Sequence, residues 1–202
     1  VVGVAPTADL YAIKVLNSQG SGYYSDIIEG IQWAINNHLQ VINMSLGGSA
    51  DYQPLHDAII AARNAGIIVV AAAGNSGGAV IYPAVYTEVI AVAATDSTNT
   101  VAWWSSNGPE VDVASPGVSI YSTYKGTAYA TLSGTSMATP HVAGATALLL
   151  NTPVGTHDAN ANGKWDPAEV QTQLQNTATD LGTLGLDNFY GWGLVNAFAA
   201  LH

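Results

Sequence analysis

The sequence contains no cysteine, which excludes a disulfide framework, a thiolate metal site and thiol-based nucleophilic chemistry. Positive charge is almost as scarce. Lys and Arg number 4 against 14 Asp and Glu, leaving a net charge of −10. The four cations, Lys14, Arg63, Lys125 and Lys164, are scattered along the chain. Nucleic acid requires clustered basic residues, so it is not an expected partner. Nor does any window hold the run of about 18 apolar residues that a membrane helix needs. The longest apolar runs, residues 67–73 and 142–150, are of core length, and no membrane partner is expected. No signal segment is visible. The chain opens in mid-pattern at Val1-Val2-Gly3, which reads as a cut end rather than a natural start.

What is present is apolar residue (49%) and glycine (21 residues) in a chain of 202, enough for one sizeable core and one domain over residues 1–202. The pattern alternates short strand-like runs with helical ones. Residues 11–16 (YAIKVL) read as a strand. Residues 25–38 place Ile27, Ile28, Ile31, Ala34 and Ile35 on one helical face, with Ser25 as N-cap. Residues 41–45 (VINMS) read as a strand, and 54–65 as a helix stopped by Gly66. Continuous apolar runs follow at 67–73 (IIVVAAA) and 89–94 (VIAVAA). Such runs, with helices between them, indicate an α/β fold: a doubly wound, mostly parallel sheet with helices on both faces. Ligands collect at the carboxyl ends of such strands, where the loops at 17–24, 45–48 and 74–78 fall. The segment from Ser136 (SMATPHVAGATALLL) is apolar almost all round, as a helix buried across the sheet would be.

A serine hydroxyl becomes nucleophilic only when positioned and deprotonated by a base. Ser136 follows Gly134 and opens this buried helix, where free amide hydrogens and a positive partial charge suit an oxyanion. The plain alternative is a helix cap. The surrounding string decides between them, because GTSMATPHVAG resembles the nucleophile motif of the subtilisin family of serine proteases. GSGYYSDIIEGIQWA (residues 20–34), INMSLGG (42–48) and AAAGNSG (71–77) resemble further family motifs in the family's order. The likeness continues through GPEVDVASPG (108–117) and GWGLVNAFAAL (191–201) and so runs over nearly the whole chain.

The resemblance implies a serine endopeptidase acting on protein or peptide substrates. Ser136 would attack the scissile carbonyl, and Asn75 would donate its side-chain amide to the oxyanion together with the Ser136 amide. The alternative for Asn75 is a turn residue. Gly20, Ser21 and Gly22 would pair with an extended substrate by backbone hydrogen bonds, with Ser45, Leu46 and Gly47 opposite. Tyr24 would be an aromatic lid over a distal subsite, or simply a surface aromatic. Ala72, Ala73 and Gly74 would wall the primary specificity pocket, with Ile81 at its floor favouring medium apolar side chains. Met137 matches the family's oxidation-prone methionine.

The chain departs from the family in one respect. Family members carry Asp, then His, then Ser, and the Asp and His motifs would precede the segment in which this chain begins. His141 lies five residues after Ser136 and about 140° round the helix, so it cannot serve as the base. The remaining histidines, His38, His56, His157 and His202, match no family base. The expectation is therefore a chain active only with the N-terminal part of the same enzyme. The alternative is an inactive calcium-binding fragment or pseudoprotease. A propeptide or protein inhibitor is a further possible partner by resemblance.

One motif stands apart from the family pattern. Asp158, Asn160, Asn162, Gly163, Asp166 and Glu169 fall at positions 1, 3, 5, 6, 9 and 12 of an EF-hand loop, with the Lys164 carbonyl at position 7. They predict a Ca2+ site. The alternative is a polar loop feeding a helix capped by Asp166, with Pro167 in its first turn and Glu169 closing a capping box. The resemblance implies a second, weaker cation site from the carbonyls of Ala84, Tyr86 and Val89, with Asp96 nearby. Family and calcium loop together suggest a secreted protein.

Overall fold

β-branched and small apolar residues dominate the runs at 67–73 and 89–94, and in the structure, a computed structural model describing all of residues 1–202, both become fully buried strands. Four parallel strands, β1 (Val41–Met44), β2 (Ile68–Ala72), β3 (Val89–Thr95) and β4 (Val113–Pro116), lie side by side in the order β1-β2-β3-β4. The register pairs Val41 with Ile68, Val69 with Val89 and Val92 with Val113. A separate antiparallel hairpin joins β5 (Ile120–Thr123) to β6 (Tyr129–Leu132).

The pleat sends alternate residues to opposite faces, and each face has its own helices. Val69, Ala71, Val89, Ala91 and Ala93 share a core with Ile27, Ile31 and Ala34 of α1 (Tyr24–Asn36) and Leu55, Ile59 and Ala62 of α2 (Gln53–Asn64). Ile68, Val70, Ile90, Val92 and Ala94 meet Ala138, Val142, Ala145 and Leu149 of α3 (Thr135–Leu150). Val170 and Leu174 of α4 (Pro167–Asn176) and Ala200 of α5 (Ala197–Leu201) complete that second core. Each buried Val, Ile or Leu contributes about 1.5–3 kcal/mol relative to exposure. The α3 helix packs against all four strands, which explains its lack of a polar stripe. The expected parallel sheet with helices on both faces is what forms. No helix is long and apolar enough to cross a membrane.

Helix ends differ from the sequence reading in two places. The N-cap of α1 is Tyr23, not Ser25, whose hydroxyl lies inside the first turn and donates to Asp26 at 3.3 Å. The same helix ends at Asn36, because His38 turns left-handed (φ 56°) and closes a Schellman motif. Its amide donates to Ile35 O, and the Leu39 amide to Ala34 O, each at 3.1 Å. The α2 helix closes in the same way with Gly66 (φ 85°), as its position predicted.

Residues 11–16 form no strand, against expectation. Their apolar alternation is satisfied by a helix instead of a ladder. Ile13 and Val15 pack over Gly30 of α1, 3.1 and 3.0 Å from where a Cβ would stand, and no backbone hydrogen bond joins the segment to β1. Tyr11 remains 56% exposed and lies 5.9 Å from the Trp33 ring.

Candidate active site

The amino end of α3 sits at the carboxyl edge of the sheet because two glycines let backbones close up. The Gly134 amide donates to Gly117 O at 2.8 Å. A Cβ on Gly117 would stand 2.6 Å from Ala94 Cβ and 2.8 Å from Gly134 O, so only glycine follows β4 here. Ser136 is thereby fixed on the first turn of α3, part-buried. Its Oγ donates to Ser45 O at 3.3 Å, and Ser45 Oγ donates back to Ser136 O at 2.8 Å. The Ser136 amide has no acceptor in the chain, as expected at the open end of a helix.

Asn75 follows β2 on an exposed bend but is not free to turn. Its Oδ1 accepts from the Thr135 amide at 2.8 Å and from Thr135 Oγ1 at 3.0 Å. Thr135 Oγ1 in turn accepts from the Gly74 amide at 3.2 Å. The side-chain oxygen is therefore committed to α3, and Nδ2 is left as a donor with no acceptor in the chain. A fixed amide nitrogen and a free backbone amide flank the Ser136 hydroxyl, a donor pair suited to developing negative charge. Thr135, which builds this arrangement, was not singled out from the sequence. Nothing but its adjacency to Ser136 signalled it.

No histidine approaches Ser136. The ring of His141 bonds Met137 O at 2.9 Å, as the helical angle predicted. His56 pairs with Glu88 at 2.9 Å and stacks on Tyr86 at 3.9 Å. Burial opposes ionisation of Glu88, but the bond from His56, a backbone bond, and the charges of His56 and Arg63 together outweigh it and hold the carboxyl below its ordinary value. His157 stacks on Trp165 and His202 on Phe198, and His38 caps α1.

Two stretches of backbone carry unpaired groups, and one of them follows Ser45, whose carbonyl accepts from the Ser136 hydroxyl. The turn at residues 17–21 consumes the Gly20 and Ser21 amides and Ser21 O on Asn17, leaving Gly20 O and both backbone groups of Gly22 free. Across from it, Leu46 and Gly47 make no backbone bonds, while Gly48 pairs with Tyr82 through two bonds of 2.9 Å. Tyr24 joins the two stretches. Its hydroxyl donates to Ala50 O at 3.3 Å and its ring stacks on Tyr52 at 4.8 Å. Ala72, Ala73 and Gly74 are buried at the end of β2. The Ile81 amide donates to Ala73 O at 3.0 Å, which together with the Gly48–Tyr82 pair sets residues 81 and 82 between the end of β2 and residues 46–48.

A serine at a helix opening, a tethered amide donor and two free backbone edges match a known arrangement. Residues 1–193 match the model of the Subtilase family. The chain belongs to that family. It is 48% identical to subtilisin Savinase from Lederbergia lenta over 99% of this chain and 70% of that protein. Identity to subtilisin DY from Bacillus licheniformis is 52%, again over 99% of this chain and 70% of that protein. Against the alkaline protease of Shouchella clausii it is 48% over 99% of this chain, which spans 50% of that longer protein.

Within this subtilase, the loop Asp158 to Glu169 leads into α4 from a 3-10 turn at Gly155–His157. Asp158 accepts from the Asn162 and Gly163 amides at 2.9 and 2.8 Å. Glu169 accepts from the Ala159 and Asp166 amides at 2.7 and 2.9 Å, and Asp166 caps α4 in the predicted capping box. The amides of Asn160 and Asn162 both converge on Asp166 Oδ2. Gly163 takes the left-handed turn (φ 79°) that position 6 demands. The carboxylates and the asparagine oxygens are hard donors of the kind calcium takes, and here they are hydrogen-bonded within the loop, Asn160 Oδ1 accepting from the Asn162 amide and Asn162 Oδ1 from the Lys164 amide. No group of three acidic or histidine side chains gathers as a metal centre, so binding here would rest equally on the two asparagine oxygens and the Lys164 carbonyl.

The second cation site fares differently. Val89 begins β3 and Asp96 follows its last residue, so they lie at opposite ends of a strand of about 20 Å. Asp96 is occupied by its own turn, whose bonds from Thr98 and Thr100 hold its carboxyl below the ordinary value. It therefore cannot join Ala84, Tyr86 and Val89, and Tyr86 O already accepts from the Val89 amide at 3.0 Å. Burial, then the bond to Asp51, pushes the neighbouring Tyr86 phenol up to about 12, so that group stays neutral.

The sequence reading also missed Asp112. This buried carboxylate accepts from the Ala91 amide at 2.7 Å and from Gln171 and Gln175 of α4 at 2.9 and 2.6 Å. The distances in sequence are too great for any local pattern to reveal it.

Proposed function

We propose that this chain carries the nucleophile, oxyanion donors and substrate cleft of a serine endopeptidase. The observation that carries the reading is the tether of Asn75 Oδ1 to Thr135, which leaves Nδ2 and the Ser136 amide as free donors beside the hydroxyl. Ser136 Oγ attacks the peptide carbonyl carbon, and its proton passes to a base. The carbonyl oxygen takes the negative charge against Asn75 Nδ2 and the Ser136 amide. The intermediate collapses with departure of the amine, which takes a proton from the base, and water releases the acyl group. The free backbone groups of Gly20, Gly22, Leu46 and Gly47 hold the substrate as an added strand, Ser21 being spent on the turn that presents them, with Ser45 supporting the nucleophile. Tyr24 borders the cleft.

None of the five histidines reaches Ser136, so the base belongs to another part of the same enzyme, and that part is an obligatory partner for activity. Asp158, Asn160, Asn162, Lys164, Asp166 and Glu169 hold Ca2+, which fixes the approach to α4 and takes no part in the bond cleavage. Ala84, Tyr86 and Val89 offer carbonyls for a weaker cation. A protein of this kind, acting on peptide chains and stabilised by millimolar calcium, is suited to secretion.

The test is reaction of the full-length protein with a serine-directed fluorophosphonate, followed by mass mapping. The expected result is one adduct on Ser136 and loss of peptide hydrolysis in Ser136→Ala. Labelling elsewhere, or none, would refute the reading.

A further inference from the structure

We infer that Asn43 and Ser45 form a hydrogen-bond relay that holds the backbone of Ser136 in place of a helical bond that Pro140 removes. Asn43 is then a positioning residue, a role that rests on the reading of Ser136 as nucleophile.

An α-helix closes each turn with a bond from an amide to the carbonyl four residues earlier. In α3 the residue placed to reach Ser136 O is Pro140, which has no amide hydrogen to give and whose ring crowds that carbonyl. Ser45, one residue past β1, supplies the substitute. Its Oγ donates to Ser136 O at 2.8 Å across 91 positions of sequence. The neighbouring carbonyls show the contrast. Thr135 O, Met137 O and Ala138 O also take side-chain bonds, from Thr139 Oγ1 at 2.7 Å, the His141 ring at 2.9 Å and Ser115 Oγ at 2.7 Å. Their partners four residues on, Thr139, His141 and Val142, all keep an amide hydrogen. Among these four carbonyls, only at the nucleophile does a side chain stand in for the helical donor.

A serine hydroxyl rotates freely and can donate or accept, so its role here has to be imposed. Asn43 Nδ2 donates to Ser45 Oγ at 3.0 Å, which fills a lone pair and leaves the Ser45 proton for Ser136 O. The two side chains lie two residues apart, on one side of an extended chain. Asparagine is a poor strand residue, and this one stands exposed on β1, so core packing does not account for it. The relay ends on the residue that supplies both the attacking oxygen and a backbone donor for the oxyanion. Ser45 O also accepts from Ser136 Oγ at 3.3 Å, so two opposed bonds join the serines. Without the clamp the first turn of α3 is free to shift against residues 45–47, and hydroxyl and amide move off the substrate carbonyl together.

The experiment measures kcat and KM of the full-length protein on one peptide substrate for Asn43→Ala, Ser45→Ala, Pro140→Ala and the double variant Ser45→Ala/Pro140→Ala. A misplacement of about 1 Å costs about 100-fold in rate. Ser45→Ala is expected to lower kcat by about 10- to 100-fold and Asn43→Ala by about 3- to 10-fold, with KM moved by less than about 2-fold. Alanine at 140 restores the missing amide and is the better helix residue. The double variant should therefore recover kcat to within about 3-fold of Pro140→Ala alone. A residue that only stabilised the fold would lower Tm without this kcat-selective loss or its rescue. Asn43→Ala, at an exposed position, decides the matter if Ser45→Ala folds poorly. Fluorophosphonate labelling of Ser136 in the wild type is scored in parallel. With labelling present, a kcat within about 2-fold of wild type in Asn43→Ala, or a loss in Ser45→Ala that Pro140→Ala does not relieve, would overturn this inference alone. Absence of labelling would overturn the site reading and this inference together.

Discussion

Asp112 offers a quantitative test of how α4 is held to the sheet. It sits just before β4, and its two oxygens bind three donors: the buried Ala91 amide of β3 and the side-chain amides of Gln171 and Gln175. In Asp112→Ala the glutamines, being partly exposed, can turn to water, but the Ala91 amide cannot. An orphaned buried donor costs about 1–3 kcal/mol and a lost charge-assisted bond about 1.5–3, while removing a buried carboxylate returns part of its desolvation cost. A net loss of about 2–4 kcal/mol is expected at pH 7, or about 4–16 °C in Tm for a domain of this size. Asp112→Asn keeps one oxygen for Ala91, but Gln171 cannot invert to meet its new amide because Arg63 holds Gln171 Oε1. Its cost should be about 1 kcal/mol. Burial raises the Asp112 carboxyl above its ordinary value, against the opposing bonds from Gln171, Ala91 and Gln175. A carboxyl raised in the folded state takes up a proton on folding. It therefore adds stability below its unfolded value near about 3.9 and loses that increment as pH rises through its folded value. The wild type should accordingly gain on Asp112→Asn as pH falls through that window. The assay is urea unfolding of the full-length protein at fixed calcium, on a Ser136→Ala background to prevent self-digestion. An alanine variant as stable as wild type at pH 7, or an asparagine variant less stable than alanine, would refute the reasoning.

Other tests address other links. Asn75→Asp retains the acceptor for Thr135 but not the donor. Both it and Asn75→Ala should lower kcat by about 10²–10³, a figure that comes from the corresponding donor in subtilisin itself. Thermal melts should show a smaller loss for Asp than for Ala, because only Asp keeps the tether. His38→Gly relieves a left-handed residue that costs about 1–2 kcal/mol, partly offset by glycine's entropy. Its Tm should rise by about 1–3 °C in calorimetry, whereas His38→Val should lower it. Calcium should raise the wild-type Tm, by about 2.7 kcal/mol of stability at a hundredfold excess over Kd. That increment should vanish in Asp158→Ala, and a calcium response retained by the variant would exclude the loop.

Much of this molecule was legible because its information is local. Runs of branched and small apolar residues at 67–73 and 89–94 could only be doubly buried strands, and the capping box from Asp166 to Glu169 spans three residues. Gly66 ends α2 because the left-handed turn is chosen within one helical turn. The resemblance carried by the strings around Ser136 and Asn75 named the family, which the whole-chain match then showed.

What failed or stayed hidden depends on residues distant in sequence. The alternation in residues 11–16 suits a strand, but whether it pairs or packs on α1 depends on what lies beside it. Asp96 and Val89 are close in sequence yet at opposite ends of β3, since an extended strand moves its ends apart faster than any other element. The sequence determined the elements and their faces because propensity, capping and periodicity act over a few residues. Only the tertiary structure decided that Asn75 is tethered through Thr135, 60 residues away, that Asp112 is shared by α4 and β3, and that Ile81 stands between Gly47 and Gly74. Hydrogen bonds and steric contacts act over a few ångströms, and folding alone brings distant segments within that range.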